Sequence, residues 1–220
     1  MEKKEAYRHM LPHFQQQGQA YFVTWSLIDA IPPKALEDYT RQLKQITSSI
    51  EFVKENKANE DVIAKLKMDY AVLRRKYMKT YDDLLHLQTK YIVDLSKKQN
   101  TDIVLETLRF WEGKRLDNYA ICVMNNHVHW VFKLYEKNEL GDPVYLQDIL
   151  HSVKRYSSNK INKLEGLKGT LWQKESYDTT IRDDKHLIRA VEYTINNPVE
   201  AGLAKKWSDW KGTFLTPGFY

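Results

Sequence analysis

Apolar and polar positions alternate most sharply over His127–Leu134. Val128, Trp130, Phe132 and Leu134 fall on one side of a two-residue period, and His127, His129, Val131 and Lys133 fall on the other. Aromatic and β-branched residues favour a pleated strand, whose side chains point alternately to its two faces. The spacing predicts a strand with an apolar core face and two imidazoles side by side on the opposite face. Asn125-Asn126 just before it suits a tight turn, and Tyr119–Met124 upstream is strand-like, so the two segments read as a hairpin. Gln19–Ile28 (QAYFVTWSLI) reads as a first strand.

After Ile31-Pro32-Pro33 the period changes. Leu36, Tyr39, Leu43, Ile46, Ile50 and Val53 recur at alternating steps of three and four. A polar break follows at Glu55–Glu60, and the period resumes with Ile63, Leu66, Tyr70, Leu73 and Tyr77. This reads as a coiled-coil seam folded into an antiparallel helical hairpin over about residues 34–80. The heptads suit dimerisation and a self-folded hairpin equally. Their basic residues, from Lys65 to Lys79, read first as a solvated face. Tyr81–Leu95 reads as shorter helical and connecting structure, and Thr101–Phe110 as a helix.

Leu146, Ile149, Leu150, Val153, Tyr156 and Ile161 mark an amphipathic helix with Lys154, Arg155 and Lys160 on its polar side, broken at Gly166–Gly169. Leu171–Arg182 is extended. Asp183 or Asp184 can cap a final helix from about Lys185 to Asn196, stopped near Pro198. The tail, with Trp207, Trp210, Phe214 and Phe219, is expected to pack back on the domain. With the hairpin set aside, the order is strand, helix, strand, strand, helix, strand, helix. That order predicts one α+β domain of the ferredoxin-like, split-βαβ type. Its antiparallel sheet would carry helices on one face and leave the histidine face free.

Composition narrows the picture. The chain has 220 residues, 42% of them hydrophobic, enough for a real core. A net charge of +5 suits a polyanionic partner. The single cysteine, Cys122, excludes an intrachain disulfide and reads as buried filler in a reducing cytoplasm. No apolar run reaches the length of a membrane span, and the N-terminus lacks a signal-peptide core, so the expectation is a soluble cytoplasmic protein.

The candidate chemistry starts from His127 and His129, which could hold one divalent ion, although His-x-His alone is a weak signal. Tyr193 and Asn197 are four apart on the last helix and share a face, which brings a phenol nucleophile beside an amide oxygen. Ordinary packing explains most of the 14 tyrosines equally well, and Asn197-Pro198 also reads as a helix stop.

Four ordered segments change that balance: MNNHVHWVF, LHSVKRYSSNKIN, GTLWQKESYDTTIRD and VEYTINNPVEAGL. Together they resemble the single-tyrosine HUH transposases, most of all the transposase-like proteins associated with repetitive extragenic palindromes (REP). Their strand motif usually reads Met-Pro-Asn-His-Val-His, and here Asn125 replaces the proline in the turn. The likeness covers the first strand and most of residues 101–210. It implies His127 and His129 as metal ligands and Tyr193 as nucleophile, with Asn197 as candidate third ligand. Tyr156 reads as packing or a DNA contact, and Tyr177 as structural.

The resemblance further implies a Mg²⁺- or Mn²⁺-dependent enzyme of the bacterial, nucleoid-associated cytoplasm. It would cleave and rejoin single-stranded DNA at hairpins through a 5′-phosphotyrosine. Lys154, Arg155, Lys160, Arg182 and Arg189 are the expected phosphate contacts, and a homodimer is left open. A domesticated hairpin-DNA binder with little catalysis and a replication- or relaxase-type nickase are the competing expectations.

Overall fold

The computed structural model describes residues 6–8, 12–14, 17–32, 34–56, 60–87 and 90–219, with only the backbone course for the first two stretches. Pro33 and residues 57–59 of the expected polar break lie outside the described residues. In chain order the elements begin with β1 (Ala6–Arg8), β2 (Pro12–Phe14) and β3 (Ala20–Ser26). Next come α1 (Glu37–Glu55), α2 (Glu60–Leu87), α3 (Lys98–Arg109), β4 (Leu116–Val123) and β5 (His127–Leu134). The chain finishes with α4 (Leu146–Glu165), β6 (Tyr177–Thr180), α5 (Asp184–Glu200), a 3-10 turn at Trp207–Asp209, and β7 (Thr213–Leu215). β1 and β2 form a two-stranded sheet of their own. The chain divides into two compact units, one chiefly Phe14–Ala30 with Lys90–Tyr220, the other chiefly Ile31–Thr89.

The helical unit is the expected hairpin of α1 and α2. Leu43, Tyr77, Tyr81 and Leu85 are buried in it, and the Tyr39 and Tyr77 rings meet edge to face at 6.1 Å. α2 does not give way to connecting structure after Thr80. It runs on to Leu87 because Tyr77, Tyr81 and Leu85 continue the buried stripe at i+4 steps.

The larger unit holds a five-stranded sheet in the order β6-β3-β5-β4-β7, antiparallel throughout. Without β7 this is the β-α-β-β-α-β arrangement expected of the split-βαβ class. β5 spans the residues its alternation predicts, and the Met124 N–H donates to the His127 carbonyl (2.9 Å) to close the Asn125-Asn126 turn. On one face Trp25 meets Trp130 and Trp172 edge to face, at 6.2 and 6.1 Å. Trp172 Nε1 donates to Ser157 Oγ (3.0 Å) and so ties α4 to that face, while α3 packs on α4. Gly166 ends α4 in the left-handed region (φ 67°), which a residue without Cβ adopts freely.

The histidine face is not free. α5 lies over it, with Ala190, Val191 and Ile195 packed on Ala120, Val131 and Ile181. Two complementary surfaces explain this: α5 buries a stripe from Ala190 to Pro198, and Phe22, Ala120 and Val131 give the supposedly polar face an apolar patch. Fully burying a Val or Ile side chain contributes about 1.5–3 kcal/mol, enough to hold the helix down. The Asp183 carboxylate caps α5 by accepting from the His186 N–H (2.8 Å). The helix passes Pro198 and continues to Glu200. Proline so near the end costs few helical bonds, and its carbonyl still accepts from the Leu203 and Ala204 N–H groups at 2.8 and 3.1 Å.

The tail packs back as expected and adds a strand. β7 pairs with β4, Trp210 Nε1 donates to the Val123 carbonyl (2.8 Å), and the Phe219 ring meets Tyr119 at 5.9 Å. No helix among the described residues is long and apolar enough to cross a membrane.

Candidate active site

Antiparallel pairing sets Tyr177, Thr24, His129 and Cys122 in one row across the sheet, side chains on the same face. In the next row toward the β4–β5 turn, Ser26 pairs with His127. Both histidines are about 1% exposed. Their Nε2 atoms face one another at 3.0 Å with the rings nearly perpendicular (82°). Each outer nitrogen is held from behind: His127 Nδ1 lies 2.6 Å from Asn126 Oδ1, and His129 Nδ1 lies 2.8 Å from Thr24 Oγ1. An amide oxygen accepts only, so this contact favours the His127 tautomer with its proton on Nδ1 and a lone pair on Nε2. The Thr24 hydroxyl accepts as readily as it donates and permits the same tautomer in His129. Such outer partners fix the orientation of metal-binding imidazoles.

Across the layer, α5 brings Tyr193 onto the pair. Its half-buried ring meets His129 at 5.3 Å and 79°, and meets Phe22 edge on at 5.6 Å, while Phe22 stacks on His129 at 5.8 Å. One turn further along, Asn197 is fully buried, and neither its Oδ1 nor its Nδ2 has a hydrogen-bond partner. A buried amide without partners costs about 1–3 kcal/mol, so it calls for an explanation.

A divalent ion would supply a partner for Oδ1. Two nitrogens each about 2.1 Å from an ion and at right angles to one another are about 3.0 Å apart, and the imidazole pair has that separation. Among the described residues no group of three or more His, Cys, Asp or Glu could hold a metal. A third protein ligand would then be a neutral oxygen, and Asn197 Oδ1 is an orphaned one on this helix face. The residues fit a Mg²⁺- or Mn²⁺-type ion with mixed nitrogen and oxygen donors.

Of the residues expected to meet DNA, Arg155, Lys160, Arg182 and Arg189 are exposed, and Arg189 lies one turn before Tyr193 on the same stripe of α5. Lys154 is placed differently. Its ammonium donates to the carbonyls of Gln173, Lys174 and Glu175 at 3.0, 3.3 and 3.1 Å, and burial pushes its pKa down to about 8. It serves as a strut under the segment leading into β6 rather than as an outward phosphate contact. Tyr177 is buried, as its structural reading requires, whereas the Tyr156 ring is more than half exposed and is no core residue. Cys122 is buried beside His129, and desolvation pushes its thiol up to about 12, consistent with inert filler. The sequence reading missed Thr24, Asn126 and Phe22. Asn126 adjoins His127 in sequence, but Thr24 and Phe22 reach the site only through strand pairing.

No family model matches the chain. It is 23% identical over 137 residues to a Haemophilus influenzae protein named "Putative REP-associated tyrosine transposase", across 57% of this chain and 76% of that protein. A solved structure described as "Structure of the REP associates tyrosine transposase bound to a REP hairpin" overlaps 97% of this chain and 82% of its own, at 16% identity. With a TM-score of 0.46, that overlap is too loose to carry an argument. The curated relative bears out the resemblance carried by the four ordered motifs: the chain is similar to REP-associated tyrosine transposases.

Proposed function

We propose that the protein cleaves and rejoins single-stranded DNA at hairpin sequences, with Tyr193 as nucleophile and His127, His129 and Asn197 as ligands of a Mg²⁺ or Mn²⁺ ion. The observation that carries this reading is the convergence of two inward-facing Nε2 atoms, the Tyr193 ring on His129, and an orphaned buried amide one turn away. When bound, the ion would offset charge on the non-bridging phosphate oxygens and favour departure of the 3′-oxygen, its double charge undiminished by neutral ligands.

The chain's own groups do the rest. A phenol ordinarily titrates at about 10 and is a weak nucleophile at neutral pH, so the placement of Tyr193 carries the argument. The stacked Phe22 and His129 rings both support the tyrosine ring, leaving part of the side chain open to solvent. In-line attack of the phenol oxygen on phosphorus forms the tyrosyl–phosphate ester and breaks the bond to the 3′-oxygen. The phenol proton is lost as the leaving oxygen gains one, giving a 5′-phosphotyrosine and a free 3′-hydroxyl. Attack by another 3′-hydroxyl reverses these steps and joins a new strand without a nucleotide cofactor. Exposed Arg182 and Arg189, at and just before this stretch of α5, would draw the phosphate backbone toward the tyrosine.

The test is incubation with end-labelled hairpin DNA and Mn²⁺, followed by denaturing electrophoresis. Wild type is expected to give a protein–DNA band that Tyr193→Phe lacks. A band persisting in the variant would move the nucleophile to another tyrosine. Tight hairpin binding with no band from either protein would leave a binding module in place of an enzyme.

A further inference from the structure

On the helical layer opposite the histidine face, α3 and α4 enclose a cleft of about 280 Å³, lined by Glu106, Thr107, Phe110, Trp111, Ser152 and Tyr156. This volume is near the lower end for ligand pockets and admits one flat heterocycle rather than a long chain. Three of the six lining residues are aromatic, and Phe110 and Tyr156 are 58% and 53% exposed. Each aromatic residue has a cation over its ring: Lys114 over Phe110 at 4.0 Å, Arg115 over Trp111 at 4.5 Å, and Lys160 over Tyr156 at 5.4 Å. The Phe110 and Trp111 rings meet edge to face at 4.9 Å, which sets the two planes at a steep angle.

We infer that this cleft is a second DNA site, taking an unpaired nucleobase while the flanking cations meet its phosphates. The inference rests on the DNA-processing reading above and adds a site remote from the chemistry. Charge and shape both point to this occupant. An apolar peptide would not need three basic rim residues, and a paired duplex would offer no free base face. Aromatic platforms threaded with cations are how single strands are held without hydrogen-bond readout. Glu106, the one carboxylate in the lining, adds selectivity, because it accepts from the exocyclic amino group of cytosine or adenine and finds no such donor on thymine.

The test is fluorescence anisotropy of the full chain with labelled dC, dA and dT octamers in a metal chelator, where strand cleavage plays no part. Wild type is expected to bind dC and dA more tightly than dT. Phe110→Ala with Tyr156→Ala should weaken dC and dA binding about 5- to 100-fold and leave the salt dependence of binding unchanged. Tyr156→Phe alone should keep most of the wild-type affinity, and Glu106→Gln should narrow the preference over dT. Equal binding by wild type and the double alanine variant, or no binding of octamers by wild type, would overturn the site. Loss of the Tyr193 adduct is read in the separate cleavage assay, so failure of this site and failure of the cleavage reading are told apart.

Discussion

Asn197 offers a perturbation whose sign separates a metal ligand from a structural residue. Leucine shares the branched outline of asparagine and substitutes for it without new polar atoms. The amide is fully buried and neither of its polar atoms has a partner. Relieving that unsatisfied group is worth about 2 kcal/mol, or a melting-temperature rise of about 4–8 °C for a chain of this length. Asn197→Leu should therefore melt higher than wild type in chelator. Saturating Mn²⁺ should reverse the comparison, since an ion at a hundred times its dissociation constant stabilises the folded wild type by about 2.7 kcal/mol. The variant, with one ligand missing, should gain much less. The assay is thermal unfolding of both proteins in chelator and in MnCl₂. A variant that melts lower than wild type in chelator yet keeps the whole Mn²⁺ shift would refute the reasoning, because the amide would then be serving the fold and not the ion.

Thr24→Val keeps the shape of the side chain behind His129 but removes its hydrogen bond, and should weaken Mn²⁺ binding about ten- to hundredfold by calorimetric titration. Lys154 titrates at about 8 in the folded chain against an ordinary 10.5. Between those values the unfolded chain therefore holds a proton that the folded chain lacks. Stability should accordingly rise with pH across that window, and urea unfolding should show the rise in wild type relative to Lys154→Met. At Gly212 a Cβ would lie 2.3 Å from the Val123 carbonyl oxygen. Gly212→Ala should thus cost about 1–3 kcal/mol in urea unfolding by prising β7 from β4.

What the sequence made legible was local. The His127–Leu134 strand, the Asn125-Asn126 turn, the Gly166 stop and the Asp183 cap each announce themselves within a few residues, and the structure has all four. The covered histidine face was hidden, because Val131 and Ala120 look incidental until α5 brings Val191 and Ile195 against them. Thr24 is 105 residues from His129, and only the strand register joins them. β7 has three residues, too few to display a period. Lys154 reads as one more surface charge on an amphipathic helix, since nothing in its own segment reveals the three carbonyls above it.

The path of the chain around α5 has a consequence for how two DNA ends could be served. The helix follows β6, at one margin of the sheet, and precedes β7, at the other, so its two ends are stitched to opposite borders of the same sheet. Lending this helix to a second copy would mean unpicking a border strand. Within one chain the Tyr193 ring already meets His129, so a site complete in each molecule is the expected arrangement under the proposed reading. Exchange of strands between two DNA ends would then bring two self-sufficient sites together rather than build two shared ones.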